Sequence, residues 1–317
     1  LGKVCKLAED MAINQDLKGV IPKHTDEIDR QFLFFWFQSV AGWIEANGVG
    51  ATVQGVKLSF LNNLKFPAPP IDEQMRIVAV LDAAFEGLTR AKENAETNLQ
   101  NARELFESIA QDTFQTGEQK WRKATLPSVC LDFGRGKSKH RPRNDPSLYG
   151  GEYPFLQTGD LSNTGSYVRH SNQTYSEKGL AQSKLWPSGT VCIAIVGATI
   201  GESAVTVMPA CFPDSIIGMV PDQSKALPAY VQHLLEHYKH DLKAAGEGSA
   251  RDNINLATFK DWAFPMPELE QQANVVEQLN SALQISDGLT ERYQAKLKDF
   301  ADLRQSLLQK AFAGELT

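Results

Sequence analysis

Ten residues, GRGKSKHRPR at 134–143, carry the densest run of positive charge in the chain. Arg135, Lys137, Lys139, Arg141 and Arg143 alternate with other residues, and Gly134, Gly136 and Pro142 mark the stretch as a loop. Alternating cations on a loop suit contacts to phosphate oxygens, which position a nucleic acid without reading its sequence. An ordinary solvated loop is the plainer reading. Base reading takes donors and acceptors that reach groove edges. Gln157, Thr158, Asp160, Ser162, Asn163 and Arg169 cluster after an expected strand and offer such groups. Ser249, Arg251 and Asn253 offer more in a Gly-rich loop.

Two motif look-alikes fail on their surroundings. GRGKS at 134–138 imitates the end of a phosphate-binding P-loop, but Leu131 stands where the first glycine must be and Pro142 where a helix must run. HLLEH at 233–237 has the spacing of an inverted zinc-protease motif. Its counterparts in the repeat described below include Phe35, Gln38 and Ser39, so a solvated helix face is expected in place of zinc. No methyltransferase or nuclease catalytic motif is visible, so no catalytic, cofactor or metal residue is assigned.

The elements that must position these groups are two long helices and the segments before them. Residues 71–116 contain no proline and one glycine. Leu81, Leu88, Ala95, Ala102 and Ile109 form one seven-residue track, and Val78, Phe85, Leu99 and Phe106 the other, with Lys92 as interruption. That is the a/d seam of a coiled coil roughly 65–70 Å long, and it needs a partner of similar length. Residues 269–314 supply one, with Val276, Leu279, Leu283, Tyr293, Leu297, Phe300 and Leu307 on its seam.

The two stretches align without a gap at an offset of 198. Phe66-Pro67 meets Phe264-Pro265, Gln74 meets Gln272, and Phe114 meets Phe312. The match begins earlier, where Gly48-x-Gly50 meets Gly246-x-Gly248. Leu1-Gly2 and Pro22 match Ile200-Gly201 and Pro221 at an offset of 199. This is a duplicated module, a mixed globular part followed by a long helix. The first copy has no counterpart of roughly residues 120–199; either that part precedes Leu1 in the natural protein or the module is assembled otherwise. Ala51, Val53 and Gly55, opposite Ser249, Arg251 and Asn253, are less polar, which fits two modules reading different sequences and equally fits drift.

The pattern predicts four parts. Residues 1–69 are the end of a first globular module, mixing short strands with an aromatic helix over 29–44. Residues 70–117 are the first long helix, with a short linker at 117–120. Residues 118–266 are a complete second module, with strands at 154–157, 166–168, 190–196, 204–207 and 216–220 and a helix over 228–242. Residues 267–317 are the second long helix. The fold class is α+β.

Net charge is −6, yet its distribution is uneven. Residues 71–119 hold ten acids and four bases, and 268–317 eight acids and five bases, whereas 121–143 hold seven Lys or Arg against one Asp. A local basic edge is what nucleic acid would meet. The apolar run at 32–44 is too short to span a membrane. Cys5, Cys130, Cys192 and Cys211 lie far apart, as reduced and mostly buried thiols of a cytoplasmic protein do.

FPAPPIDEQ at 66–74, FPMPELEQQ at 264–272 and QSLLQKAFAGELT at 305–317 resemble the DNA-specificity (S) subunit of type I restriction-modification systems. TGDLS at 158–162 and GATIG at 197–201 look like strands of its target recognition domains. Glu268 and Gln271, opposite Pro70 and Glu73, depart from the first copy. The resemblance implies a non-catalytic subunit that reads a bipartite target in double-stranded DNA. Its two recognition domains would be held apart by an antiparallel coiled-coil ruler. Two methyltransferase subunits would dock on it, with restriction subunits as further partners. S-adenosylmethionine would bind the methyltransferase, and no cofactor this chain. The alternative is a coiled-coil scaffold or clamp joining other proteins without DNA.

Overall fold

The computed structural model describes residues 1–48, 55–162, 165–246 and 254–316. In chain order the helices α1 (Arg30–Ser39), α2 (Ala41–Ala46) and α3 (Leu58–Asn62) precede the long helix α4 (Ile71–Lys120). There follow β1 (Lys123–Thr125), β2 (Cys130–Arg135), β3 (Tyr149–Phe155), α5 (Thr158–Ser162), β4 (Tyr167–Val168) and β5 (Gln173–Tyr175). Next come α6 (Glu177–Ala181), β6 (Leu185–Trp186), β7 (Val191–Ala194), β8 (Ser203–Thr206), β9 (Ala210–Cys211) and β10 (Ile216–Pro221). The chain ends with α7 (Pro228–His237), α8 (Lys239–Gly246), α9 (Leu256–Asp261), β11 (Ala263–Pro265) and the long helix α10 (Leu269–Ala313). Helix and sheet are mixed, and no helix among the described residues is long and apolar enough to cross a membrane.

The chain divides into two compact units, residues 1–101 with 289–317, and residues 102–288. The first is helical. Asp29 caps α1 by accepting from the Phe32 amide at 2.8 Å. Its core gathers Phe32, Phe35, Ile77, Leu81, Phe85, Leu308 and Ala311. Short strands were expected within 1–69, but the described residues there form none. The stretch over 1–23 is irregular and leaves Leu7, Met11, Leu17, Val20 and Ile21 exposed.

Among the described residues the second unit holds three sheets, ordered β2-β10-β7-β8-β4, β5-β3-β9-β6 and β1-β11. Val191 and Ile193 of β7 face one core with Leu234 and Phe259, while Cys192 and Ala194 face another with Trp186 and Phe212. A strand buried on both faces reads as an unbroken apolar run, which is why it was legible. The helix expected over 228–242 breaks at Tyr238 into α7 and α8.

The expected linker at 117–120 is helical to Lys120. Gly117 acts there as a close approach. The Trp121 ring lies over it where a Cβ would overlap, and the Trp121 amide donates to the Gly117 carbonyl at 2.8 Å. All four cysteines are free thiols: Cys192 and Cys211 are buried, Cys130 is half-buried and Cys5 is exposed.

The repeat is visible in one buried side chain per unit. The Gln74 carbonyl accepts from the Asp29 amide at 2.9 Å, and its amide donates to the Glu27 and Pro69 carbonyls, each at 2.8 Å. Gln272 does the same with the Leu227 amide (2.9 Å) and the Lys225 and Pro267 carbonyls (2.9 and 2.8 Å). All four pairs of positions differ by 198.

Candidate nucleic-acid interface

The basic stretch starts inside a sheet. Gly134 and Arg135 end β2 and pair with Gly218 and Ile217 of β10, so the expected loop begins at Gly136. A Cβ on Gly136 would overlap the Phe212 carbonyl, and its amide donates to the Ile216 carbonyl at 2.9 Å. Gly136 and Ser138 are buried while Lys137 and Lys139 are exposed, so the alternation seen in sequence is an extended backbone with its cations outward.

Hydrogen bonds hold this backbone from both sides. Ser183 Oγ donates to the Lys137 carbonyl at 2.8 Å, and the His140 amide donates to Gln182 Oε1 at 3.0 Å. Arg141 Nη1 reaches the Ser138 and His140 carbonyls at 2.7 and 2.8 Å. The Tyr149 hydroxyl donates to the Arg143 carbonyl at 2.7 Å. Asp145 anchors the far end, with His140 Nε2 at 2.9 Å and Lys178 Nζ at 3.3 Å. The Ser147 hydroxyl and amide, then Lys178, hold its carboxyl well below the usual carboxylate range.

Of the five cations, Arg143 pairs with Asp214 at 2.7 Å. Among the described residues no carboxylate pairs with Arg135, Lys137, Lys139 or Arg141. Unneutralised cations on a fixed backbone can take phosphate oxygens at low ordering cost.

The second expected cluster gathers where β3 ends. Gln157 is exposed, and its Nε2 donates to Gln173 Oε1 at 2.6 Å. TGDLS at 158–162 is a turn of helix (α5) and GATIG includes a short 3-10 turn over Gly197–Thr199, where strands were expected. The reason in the first is Asp160, which is buried and accepts from the Gln157 amide at 2.7 Å, winding the chain out of β3. Its other oxygen accepts from Asn172 Nδ2 at 2.6 Å. Asp160 thus shapes the cluster from beneath, where a base-reading role was expected. Thr158 is half-buried, and Ser162 Oγ reaches back to its carbonyl at 3.4 Å. Arg169 is exposed, with its guanidinium 5.8 Å from the Tyr167 ring centre. Asn163, Ser249, Arg251 and Asn253 lie outside the described residues.

Asn172 and Gln173 belong to this cluster and were not singled out in sequence. Nothing local marks them; only the β3–β5 register, Phe155 opposite Gln173, brings them to Gln157.

The HLLEH helix is not a solvated face. His233 is buried with Nε2 3.0 Å from Asn280 Oδ1, and the His237 ring stacks on Phe114 at 4.7 Å. Among the described residues no group of three or more His, Cys, Asp or Glu could hold a metal ion. Burial, with the Asp132 carboxylate, pushes the Cys130 thiol up to about 12, so it is unsuited to nucleophilic work.

The chain is 24% identical over 252 residues to the type I restriction enzyme EcoR124I/EcoR124II specificity subunit of Escherichia coli, covering 74% of this chain and 59% of that protein. It is 22% identical over 318 residues to the EcoBI specificity subunit of Escherichia coli, covering 92% and 67%. The chain thus spans about three fifths to two thirds of these relatives' length. In fold it is similar to the HsdS subunit from Thermoanaerobacter tengcongensis, with TM-score 0.61 at 22% identity, covering 90% of this chain and 70% of that one. It is also similar to a chain solved to explain complex assembly and conformational transition of the type I R-M system. There the TM-score is 0.72 at 21% identity, covering 92% and 73%. The family model for the type I restriction modification DNA specificity domain matches residues 1–99 and 118–299, and the chain belongs to that family.

Proposed function

We propose that this chain is a DNA sequence-specificity subunit of a type I restriction-modification complex, reading a bipartite target through modules at 1–69 and 118–266. The observation that carries the reading is the outward row of cations at 135–143, fixed on a hydrogen-bonded backbone beside exposed amides. In this reading Arg135, Lys137, Lys139, Arg141 and Arg143 meet phosphates. Gln157, Thr158, Ser162, Asn163, Arg169, Ser249, Arg251 and Asn253 supply base or sugar contacts. Asp160 orients its neighbours. The two long helices, at 70–117 and 267–317 with the first continuing to Lys120, pair antiparallel as a spacer. Clustering of Leu81 and Phe85 with Leu308 and Ala311 supports that pairing, as does the bond from Ser286 Oγ to the Ala102 carbonyl at 2.6 Å. Two methyltransferase subunits dock on the assembly and bring S-adenosylmethionine, and restriction subunits join it. The chain itself recognises and does not catalyse.

The test replaces all five cations with Ala in the complex assembled with its methyltransferase. Binding to every DNA sequence should weaken, and the log–log salt slope should fall by roughly 0.9 for each phosphate that is no longer neutralised. An unchanged slope removes the loop from the interface. A wild-type complex that assembles without binding DNA leaves the protein-joining scaffold as the function.

A further inference from the structure

The buried carboxylate of Asp160 ties together two exposed residues, Gln157 and Asn172, that lie fifteen positions apart in the chain. One oxygen accepts from the Gln157 backbone amide at 2.7 Å and the other from Asn172 Nδ2 at 2.6 Å, next to Gln173. Strand pairing of Phe155 with Gln173 sets the same spacing from the sheet side. Between these supports Gln157 Nε2 donates to Gln173 Oε1 at 2.6 Å. Among the described residues Gln157 Oε1 and the Gln173 amino group make no further bond, and both residues are exposed.

An amide pair joined this way presents one free acceptor beside one free donor. Adenine presents the complement in the major groove, with the N6 amino group as donor and N7 as acceptor. A single Asn or Gln ordinarily reads that edge with both ends of one amide. Here the two functions are divided between two side chains already fixed to each other, so less rotamer freedom is lost on binding. We propose that Gln157 and Gln173 together read an adenine edge at one position of the target, with Asp160 as the positioning residue. The proposal rests on the DNA-specificity reading above and names its base-reading groups in the second module.

The basic stretch lies at the opposite end of the same strand, where Tyr149 holds Arg143. Tyr149 and Tyr153 both pair with Tyr175 across a bulge, so β3 is shorter than seven extended residues and carries both groups on one strand pair.

The experiment is methylation-site mapping with the complete complex carrying Gln157→Ala with Gln173→Ala. Preference for adenine at one base pair should drop by about tenfold or more, the scale of one bidentate base contact. The other positions and the salt slope should not change. Gln173→Glu guards against a folding artefact. It keeps the acceptor for Gln157 Nε2 but turns the outward donor into an acceptor. Adenine preference at that position should be lost, with a shift toward cytosine, whose N4 group donates. Asp160→Asn should relax the same position and no other. Unchanged preference at every position in the double variant overturns the proposal, as does a uniform loss with no change in preference. A wild-type complex that neither binds nor modifies DNA overturns the functional reading instead, so the two failures are distinct.

Discussion

The two copies of the module contain one stretch in two states. FPDSIIGMVP at 212–221 and INQDLKGVIP at 13–22 align at an offset of 199. In the second copy it forms β10, hydrogen-bonded on both sides by β2 and β7, with Ile216 and Met219 fully buried. In the first copy the same stretch is irregular, and their counterparts Leu17 and Val20 are 59% and 53% exposed. The strands that flank β10 are Cys130–Arg135 and Val191–Ala194, whose counterparts at that offset fall before Leu1, outside the described residues. A strand cannot satisfy its backbone alone, so its formation depends on neighbours more than on its own residues. Helices carry their hydrogen bonds within themselves. Accordingly α1 and α7 match end for end at an offset of 198, as do the starts of α3 with α9 and of α4 with α10. The glutamine clamp, whose partners all sit near the helix lead-in, forms in both copies.

If the first copy is the looser packing, equivalent truncations should cost unequal amounts. Phe114 is fully buried, against His237 at 4.7 Å and Tyr230 at 6.0 Å. Its counterpart Phe312 is half-buried, against Phe32 at 5.0 Å. Phe114→Ala should destabilise the second unit by about 3–5 kcal/mol, the range for emptying a packed aromatic site. Phe312→Ala should cost the first unit clearly less. Hydrogen-exchange protection of α7 and α1 reads the two units separately. Equal losses would end the idea that the modules differ in packing.

The clamps give a finer contrast. Removing either glutamine side chain leaves an amide and two carbonyls without their partner, at about 1–3 kcal/mol where water cannot reach them. Pro267 is buried while Pro69 is half-buried, so water can replace Gln74 more readily. Gln272→Ala should sit near the top of that range and Gln74→Ala near the bottom. The midpoint of each unit's unfolding in urea, followed by local exchange, measures both. A larger loss for Gln74 would reverse the assignment of the open module.

These contrasts also explain what was legible in the sequence. The long helices, their starts and the repeat announce themselves through seven-residue spacing and the Phe-Pro lead-in, because helix signals are local. Strands β7 and β10 were visible as apolar runs. Strand β2 was missed because its residues, CLDFGR, pair with β10 across some eighty positions and carry no run of their own. The cations at 135–143 were found from charge alone. The role of Asp160 was not, since a carboxylate that reads a base and one that staples a turn look alike until burial is known. Asn172 and Gln173 joined the site only through strand register.

The smallest effect concerns protons. His233 and His237 lie on α7, where α1 has Phe35 and Ser39. Burial pushes both histidines below their usual value; the bond to Asn280 partly offsets this at His233, and the Glu118 and Asp241 carboxylates do so at His237. The folded state therefore resists protonation, while the unfolded chain takes up protons near pH 6.5. Below that value the unfolded state binds more protons, so stability is full above it and declines as pH falls through the folded values. The lowered carboxyls of Asp145 and Asp222 act in a separate window, losing their contribution only as pH falls below about 4. Between pH 7 and 5 the second unit should soften through its histidines, and α1 should not share that loss. His233→Phe installs the first copy's residue. Asn280 is exposed and can turn to water, so the change should fold and should flatten the acid dependence of α7 protection factors. If α7 softens just as steeply in the variant, His233 is not the group that takes up the proton, and this difference between the two copies is one of packing alone.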